Sequence, residues 1–123
     1  MAEKIKGRGV YNPPIDTLLH ICPRADWREA QQRGEYRAAS LASEGFIHCS
    51  TPDQVAATAD RFYHGRHGLV LLVIDSDRVG PEIRYEAADG SLFPHVYGPL
   101  NLDAVVEVRD FEPGADGAFS WAG

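Results

Sequence analysis

The sequence predicts a single-domain α+β fold in which two early helices pack on a mostly antiparallel sheet. The first observation is the length of 123 residues, because ordinary domains run to roughly 100–150 residues. The second is a composition of 44% hydrophobic and 24% charged residues, which is typical of globular proteins. The third is the order of predicted elements: strand, helix, strand and helix, followed by four strands. Residues 1–14 are predicted to form a tail, and residues 15–123 the domain.

The predicted domain begins with a strand and a helix. Residues 17–22 form a short apolar run before a proline, which predicts a strand. Residues 24–33 carry Trp27 and Ala30 at helical spacing, and Gly34 follows just past the helix end. Because an aromatic residue on a helix stripe usually packs inward, we expect Trp27 to be structural.

A short turn and a second strand precede the second helix. Residues 40–44 form a turn or helical piece closed by Gly45, and residues 46–49 are predicted to be a strand. Residues 51–54 place Thr at the N-cap, Pro at N1 and Gln at N3, which is the pattern of a capping box. The helix is therefore expected to start there and to end at Gly65. Its apolar stripe consists of Val55, Ala59, Phe62 and Tyr63.

The second half of the sequence predicts four strands. Residues 69–75 are continuously apolar up to an aspartate, which indicates a central strand buried on both faces. Residues 83–87 and 92–97 flank Asp89-Gly90, a signal for a tight hairpin turn. Residues 104–111 alternate in polarity, which predicts a half-exposed strand.

Charge and apolar patterning argue against several classes of protein. A net charge of −6 argues against a protein that binds duplex nucleic acid or an anionic membrane non-specifically. The longest apolar run, residues 69–74, is far shorter than the roughly 20 residues that cross a bilayer, and residues 1–6 have no signal-peptide core. Glycine-rich Rossmann and Walker motifs are absent from the sequence. We therefore expect a cytoplasmic protein whose Cys22 and Cys49 thiols are reduced.

Five polar residues lie in or at the ends of apolar strands. They are His20, His48, Glu86, His95 and Tyr97. A polar group in such a strand costs roughly 1–3 kcal/mol unless it is bonded, so these residues bond each other or serve a ligand. Each histidine taken alone is most simply a satisfied core residue. Taken together with Ser50, the three histidines and Tyr97 predict one ligand-binding cleft.

A zinc site and a cysteine nucleophile are two weaker interpretations of this part of the sequence. A zinc site would draw on His20, Cys22, His48 and Cys49. Adjacent residues of a strand point to opposite faces and no C-x-x-C pair is present, so no metal is expected. A cysteine nucleophile at Cys49 lacks a diagnostic neighbouring base.

The predicted start of the second helix offers a third use. Free backbone N–H groups there, beside His48, Ser50 and Thr51, would suit an anion, although a plain helix cap accounts for Thr51 equally well. The positive end of the helix disfavours an imidazolium ion, so we expect a neutral His48 that serves binding more than stability.

Three segments of the sequence resemble the bacterial domain-of-unknown-function family 952. They are the Leu19-His20-Ile21 strand with the Trp27 helix, the segment S-L-A-S-E-G-F-I-H-C-S at residues 40–50, and F-P-H-V-Y-G-P-L at residues 93–100. The resemblance covers residues 16–119, and its last two motifs are specific. The family is similar in fold to the ADP-ribosyltransferase-like group, which implies a split, curved sheet around a cleft for a nicotinamide dinucleotide (NAD).

The resemblance also implies roles for individual residues. His20 matches the first-strand position that holds a ribose, and Ser50 lies in the second motif, where His48 is a further binding residue. Glu86 is a loose match to the glutamate that orients the reacting ribose, and no paired acidic motif accompanies it. His95 would be a general acid or a phosphate donor, and Tyr97 would stack on the leaving base.

Two classes of function follow from these residues. One is an enzyme that transfers or hydrolyses a glycosyl (ADP-ribosyl) group of NAD or a related nucleotide, with Glu86 and His95 as catalytic residues. The alternative is a non-catalytic protein that binds a nucleotide or another small ligand in the same cleft. A structural partner protein without a pocket ligand is a third interpretation.

Overall fold

The structure, a computed structural model, describes residues 17–121, so the predicted tail over residues 1–14 lies outside the described residues. Over that range the chain has three α-helices and eight β-strands. The strands are β1 (Thr17–Pro23), β2 (Glu35–Tyr36), β3 (Ile47–His48), β4 (Leu69–Asp75), β5 (Glu82–Ala88), β6 (Ser91–Tyr97), β7 (Leu100–Asn101) and β8 (Val105–Phe111). The helices are α1 (Arg24–Arg33), α2 (Ala39–Glu44) and α3 (Val55–Tyr63). The fold is α+β, as predicted.

Strand β4 is the central strand of the first sheet, whose order is β1–β4–β8 with antiparallel neighbours. Its residues from Leu69 to Ile74 are all buried because both faces of the strand are covered. The prediction of a buried central strand is therefore confirmed. On one face, Val70, Leu72 and Ile74 belong to a core that also receives Ala30 of α1, called here the first core. On the other, Leu69, Leu71 and Val73 form the second core with residues of α3.

The second sheet has the order β3–β6–β5, again antiparallel. Strands β5 and β6 form the predicted hairpin, and its two turn residues Asp89 and Gly90 both have positive φ, of 51° and 84°. Two positive φ angles define a type I′ turn, whose twist matches that of paired strands. The two-residue strands β2 and β7 pair separately.

One bridge joins the two larger sheets, between Leu19 of β1 and Ser50 just after β3. The backbone amide of each donates to the carbonyl of the other at 2.8 Å. In a regular antiparallel ladder the next bonded pair would be Ile21 and His48. The His48 carbonyl instead accepts a hydrogen bond from the ring of His20. A side-chain hydrogen bond thus replaces the next backbone pair of the ladder, at the point where the two sheets diverge.

Helix α3 begins three residues later than the capping pattern predicts, at Val55. The Thr51 amide donates to Oε1 of Gln54, and the Gln54 amide donates to the Thr51 carbonyl, both at 3.0 Å. The predicted side-chain contact therefore forms, but it closes a turn ahead of the helix. The turn predicted over residues 40–44 is helical and ends at Gly45, where φ is 91°. The two-residue strands β2 and β7 were not predicted.

Trp27 and the two cysteines pack in the first core. Trp27 is partly buried against that core, which is consistent with a structural role but short of full burial. Cys22 and Cys49 are both buried free thiols. Burial raises the pKa of each thiol to about 12, so neither is an activated nucleophile. Between residues 17 and 121, no helix has the length and apolar character that crossing a membrane requires.

Candidate functional site

The candidate site lies on one face of the β3–β6–β5 sheet. Ile47 and Val96 point into the first core, so the alternate residues His48, His95 and Tyr97 point to the other face. In the register, His95 lies between His48 on one side and Arg84 on the other. We call this surface the polar face. Its members are Phe46, His48, Glu82, Arg84, Glu86, His95 and Tyr97.

Glu86 binds two neighbours on the polar face. Its Oε1 atom lies 2.7 Å from Nδ1 of His95 and accepts the hydroxyl hydrogen of Tyr97 at 2.5 Å. The Tyr97 bond and then the His95 bond lower the pKa of the Glu86 carboxyl, because each stabilises the carboxylate. The same contact raises the pKa of Tyr97. Glu86 is therefore an ionised carboxylate that orients an imidazole.

His95 is buried, with 6% of its surface exposed. An ionised Glu86 can only accept, so Nδ1 of His95 carries the hydrogen. In the neutral ring Nε2 is then a proton acceptor, and within the described residues it has no hydrogen-bond partner. This arrangement is that of a base oriented by a carboxylate.

Phe46 and His48 enclose the His95 ring. Phe46 stacks on it with centroids 4.0 Å apart and planes at 17°, and His48 meets it edge-on at 5.2 Å. His48 itself is exposed, and its Nε2 lies 3.2 Å from the carboxylate of Glu44. The exposed His48 ring therefore forms the solvent side of the cluster.

Tyr97 is less available for stacking than predicted. The Arg84 guanidinium lies 4.3 Å from its ring centroid, and Phe46 packs against it at 5.2 Å with a tilt of 43°. Its hydroxyl is already bonded to Glu86. Tyr97 thus supports Glu86, and a base could stack on it only where Arg84 and Phe46 leave the ring open.

His20 faces the first core, which covers the β3–β6–β5 sheet on the side opposite the polar face. It shares the face of β1 with Leu18 and Cys22, which belong to the first core. Its Nδ1 donates to the His48 carbonyl at 2.5 Å, and the Tyr36 hydroxyl donates to its Nε2 at 2.7 Å. Burial lowers the pKa of His20 to about 4, so the ring is neutral. It touches the polar face only through the main chain of His48.

Ser50 and the start of α3 also differ from the predicted arrangement. Ser50 is buried, at 4% exposure, and its main chain forms the bridge to Leu19. Among residues 17–121 no group bonds its hydroxyl. The amides of Thr51 and Gln54 already have protein acceptors, so these two donors are not free for an anion.

Three residues of this network were missed in the sequence. Phe46 and Arg84 each lie two residues before a predicted site residue, His48 and Glu86, so strand alternation could have placed them on the same face. Tyr36 carries no such signal, because its two-residue strand cannot be recognised from the sequence. In the part of the chain that is described, no group of three His, Cys, Asp or Glu side chains could hold a metal ion.

Comparisons with known proteins agree with this fold. The family described as "Protein of unknown function (DUF952)" matches residues 21–108. The crystal structure of protein CC0527 from Caulobacter crescentus is similar with a TM-score of 0.78 and 33% identity, over 85% of this chain and 93% of that chain. The solution NMR structure of CC0527 matches with a TM-score of 0.74 and 33% identity, over 84% of this chain and 90% of that chain. A search of curated proteins found no match. Since the family match covers more than half of the sequence, the chain belongs to the DUF952 family.

Proposed function

We propose that this protein is a cytoplasmic enzyme that hydrolyses or transfers a glycosyl group of NAD or a related nucleotide on its polar face. The observation that carries the proposal is the pairing of Glu86 with Nδ1 of the buried His95, whose Nε2 has no partner among the described residues. Carboxylate–imidazole pairs of this kind carry out general acid–base chemistry. The resemblance to the ADP-ribosyltransferase-like group supplies the substrate class.

The proposed roles of Glu86 and His95 follow from the atom of each that has no hydrogen-bond partner among the described residues. Cleavage of a bond between a ribose C1′ and a base passes through an oxocarbenium-like state, which a nearby carboxylate stabilises. Oε2 of Glu86 is available to accept a hydrogen bond from a ribose hydroxyl, since both of its known contacts use Oε1. Nε2 of His95 is available to take the proton of the attacking water or acceptor.

The polar atoms that remain available can bind the reacting ribose more readily than they can bind the other half of a dinucleotide. Within residues 17–121, Glu86 and His95 each keep one atom without a hydrogen-bond partner, and His48 is exposed beside them. Both ring nitrogens of His20 have protein partners, so His20 can hold a second ribose only by giving up a bond to Tyr36 or to the His48 carbonyl. The predicted ribose-holding role of His20 is therefore not part of this proposal.

One observation favours the non-catalytic alternative. Oε1 of Glu86 already accepts two hydrogen bonds, which spread its charge and weaken its stabilisation of a developing cation. A protein of that kind would bind the nucleotide or nucleoside without turning it over.

Substitution of Glu86 separates the two functions. We expect the full chain to release nicotinamide from NAD or nicotinamide riboside, measured by chromatography, and Glu86→Gln to lower turnover about 10²–10³-fold. Glu107→Gln is the matched control, since Glu107 is an exposed strand glutamate bonded to Arg109 in the other sheet. Binding without turnover by the unmodified chain would support the alternative, and unchanged turnover in Glu86→Gln would contradict the catalytic role.

A further inference from the structure

The charges on the polar face are unbalanced around the Glu86–His95 pair. Three carboxylates lie there or at its border: those of Glu82 and Glu86 on β5, and that of Glu44, which contacts His48. Arg84 is the one guanidinium on the β5 part of this face. The whole chain also carries a net charge of −6. The described side chains of the face therefore include more carboxylates than guanidinium groups.

Among the described residues, the arginine and the exposed histidine of the face already have carboxylate partners. The Arg84 guanidinium donates to Oε1 of Glu82 at 3.0 Å and lies over the Tyr97 ring. His48 lies within 3.2 Å of the Glu44 carboxylate. Phosphate groups are bound by free Arg or Lys side chains or by free backbone amides. The amides of Thr51 and Gln54, which lie beside the predicted anion site, have protein acceptors.

Other features of the same face suit a cation. Tyr97 lies next to the Glu86 carboxylate, and the Arg84 guanidinium already lies over its ring, so this part of the face attracts positive charge. The buried Nε2 of His95, with no partner among the described residues, shows that the face holds an unsatisfied polar atom for a ligand.

From these observations we infer that the substrate is a phosphate-free N-riboside whose base is positively charged, rather than a dinucleotide. The inference rests on the proposed function: it keeps the reaction and changes the substrate from a nucleotide to a phosphate-free riboside. A pyridinium riboside would bring a positive charge to these carboxylates, whereas each phosphate would meet them with no unpaired cation on the described part of the face to receive it.

The reaction balances without a further reagent. The bond between C1′ and the pyridinium nitrogen breaks, and its electron pair stays with the nitrogen, which makes the base neutral. Water adds to C1′, and its proton passes to Nε2 of His95 and then to solvent. The products are ribose, the neutral base and one proton. Glu86 stabilises the positive charge at C1′ while the bond breaks.

Calorimetric titration of the full chain with three ligands tests this inference. The ligands are nicotinamide riboside, its 5′-monophosphate and NAD. The monophosphate and NAD each carry about two negative phosphate charges at pH 7, and the riboside carries none. We therefore expect both to bind at least about tenfold more weakly than the riboside at low salt, and the difference to shrink as salt is raised. Equal or tighter binding of NAD would overturn this inference and leave the proposed function standing. Failure of all three to bind would overturn both, whereas riboside binding without cleavage would overturn only the enzymatic proposal.

A charge variant gives an independent measurement. Glu82→Gln removes one carboxylate and releases Arg84, so we expect the preference for the riboside over its monophosphate to shrink several-fold. Glu107→Gln removes the same kind of ion pair from β8 and should leave the preference unchanged. An unchanged preference in Glu82→Gln, with the fold intact by circular dichroism, would overturn the inference.

Discussion

The two larger sheets each contain a buried histidine, and the two rings differ in what they bond. His20 of the first sheet and His95 of the second are almost equally buried, with 7% and 6% exposure. His20 bonds two uncharged groups, the Tyr36 hydroxyl and the His48 carbonyl, so both of its nitrogens are satisfied. His95 bonds a carboxylate through one nitrogen, and its other nitrogen has no partner within residues 17–121.

The surroundings of the two sheets explain this difference. The central strand β4 of the first sheet is covered on both faces. A polar side chain that points into either core, such as that of His20 in β1, must therefore be bonded within the protein to avoid the cost of burial. The second sheet is covered by the first core on one face only, so its polar face can keep bonding capacity for a ligand. Burial alone therefore does not distinguish the two histidines; the partners of their ring nitrogens do.

A matched pair of leucines measures the difference in packing between the sheets. Leu72 in β4 is fully buried, and Leu92 in β6 is 58% exposed. We expect Leu72→Ala to lower the free energy of unfolding by about 2–5 kcal/mol, through lost burial and a residual cavity. Leu92→Ala should change it by less than about 0.5 kcal/mol. Urea unfolding of both variants provides the measurement, and similar losses would contradict the assignment of the two environments.

The pH dependence of stability tests the core role of His20. Its folded pKa of about 4 lies below the unfolded value of 6.5, so between these values the unfolded state binds the proton. The contribution of His20 is thus complete above pH 6.5 and is lost as the pH falls towards 4. We expect this loss to reach about 2 kcal/mol by pH 5.

His20→Gln should remove that part of the pH dependence, as measured by urea unfolding at pH 7.5 and pH 5. The exposed His67 provides the control, since His67→Gln should retain the dependence of the unmodified chain. If His20→Gln loses as much stability on acidification as the unmodified chain does, the proton linkage lies elsewhere.

The smallest expected effect on stability is that of His48→Ala. The His48 side chain is 53% exposed, and its pairing with Glu44 is a surface contact worth at most about 1 kcal/mol. The melting temperature should therefore fall by about 4 °C or less. Affinity for nicotinamide riboside should weaken several-fold, since the ring borders His95. A larger drop in melting temperature with unchanged affinity would remove His48 from the site.

Much of the architecture and part of the site could be predicted from local patterns. The continuous apolar run of β4, the Asp89-Gly90 turn and the spacing within α1 each follow from residues close together in the chain. Strand alternation likewise places His95 and Tyr97 on one face. These features are determined by the sequence itself because backbone conformation and side-chain direction respond first to near neighbours.

The tertiary structure decided which of these polar residues face each other. The antiparallel register of β5 on β6 pairs Glu86 with Phe93, which places its carboxylate diagonally within reach of His95. The position of β2 beside β1 brings Tyr36 to His20. Alternation within one strand cannot reveal either outcome, because the partner belongs to a strand whose position depends on the whole core. The sequence by itself thus determined the elements and the set of polar residues. Only long-range packing assigned one buried histidine to the core and left one nitrogen of the other without a partner among the described residues.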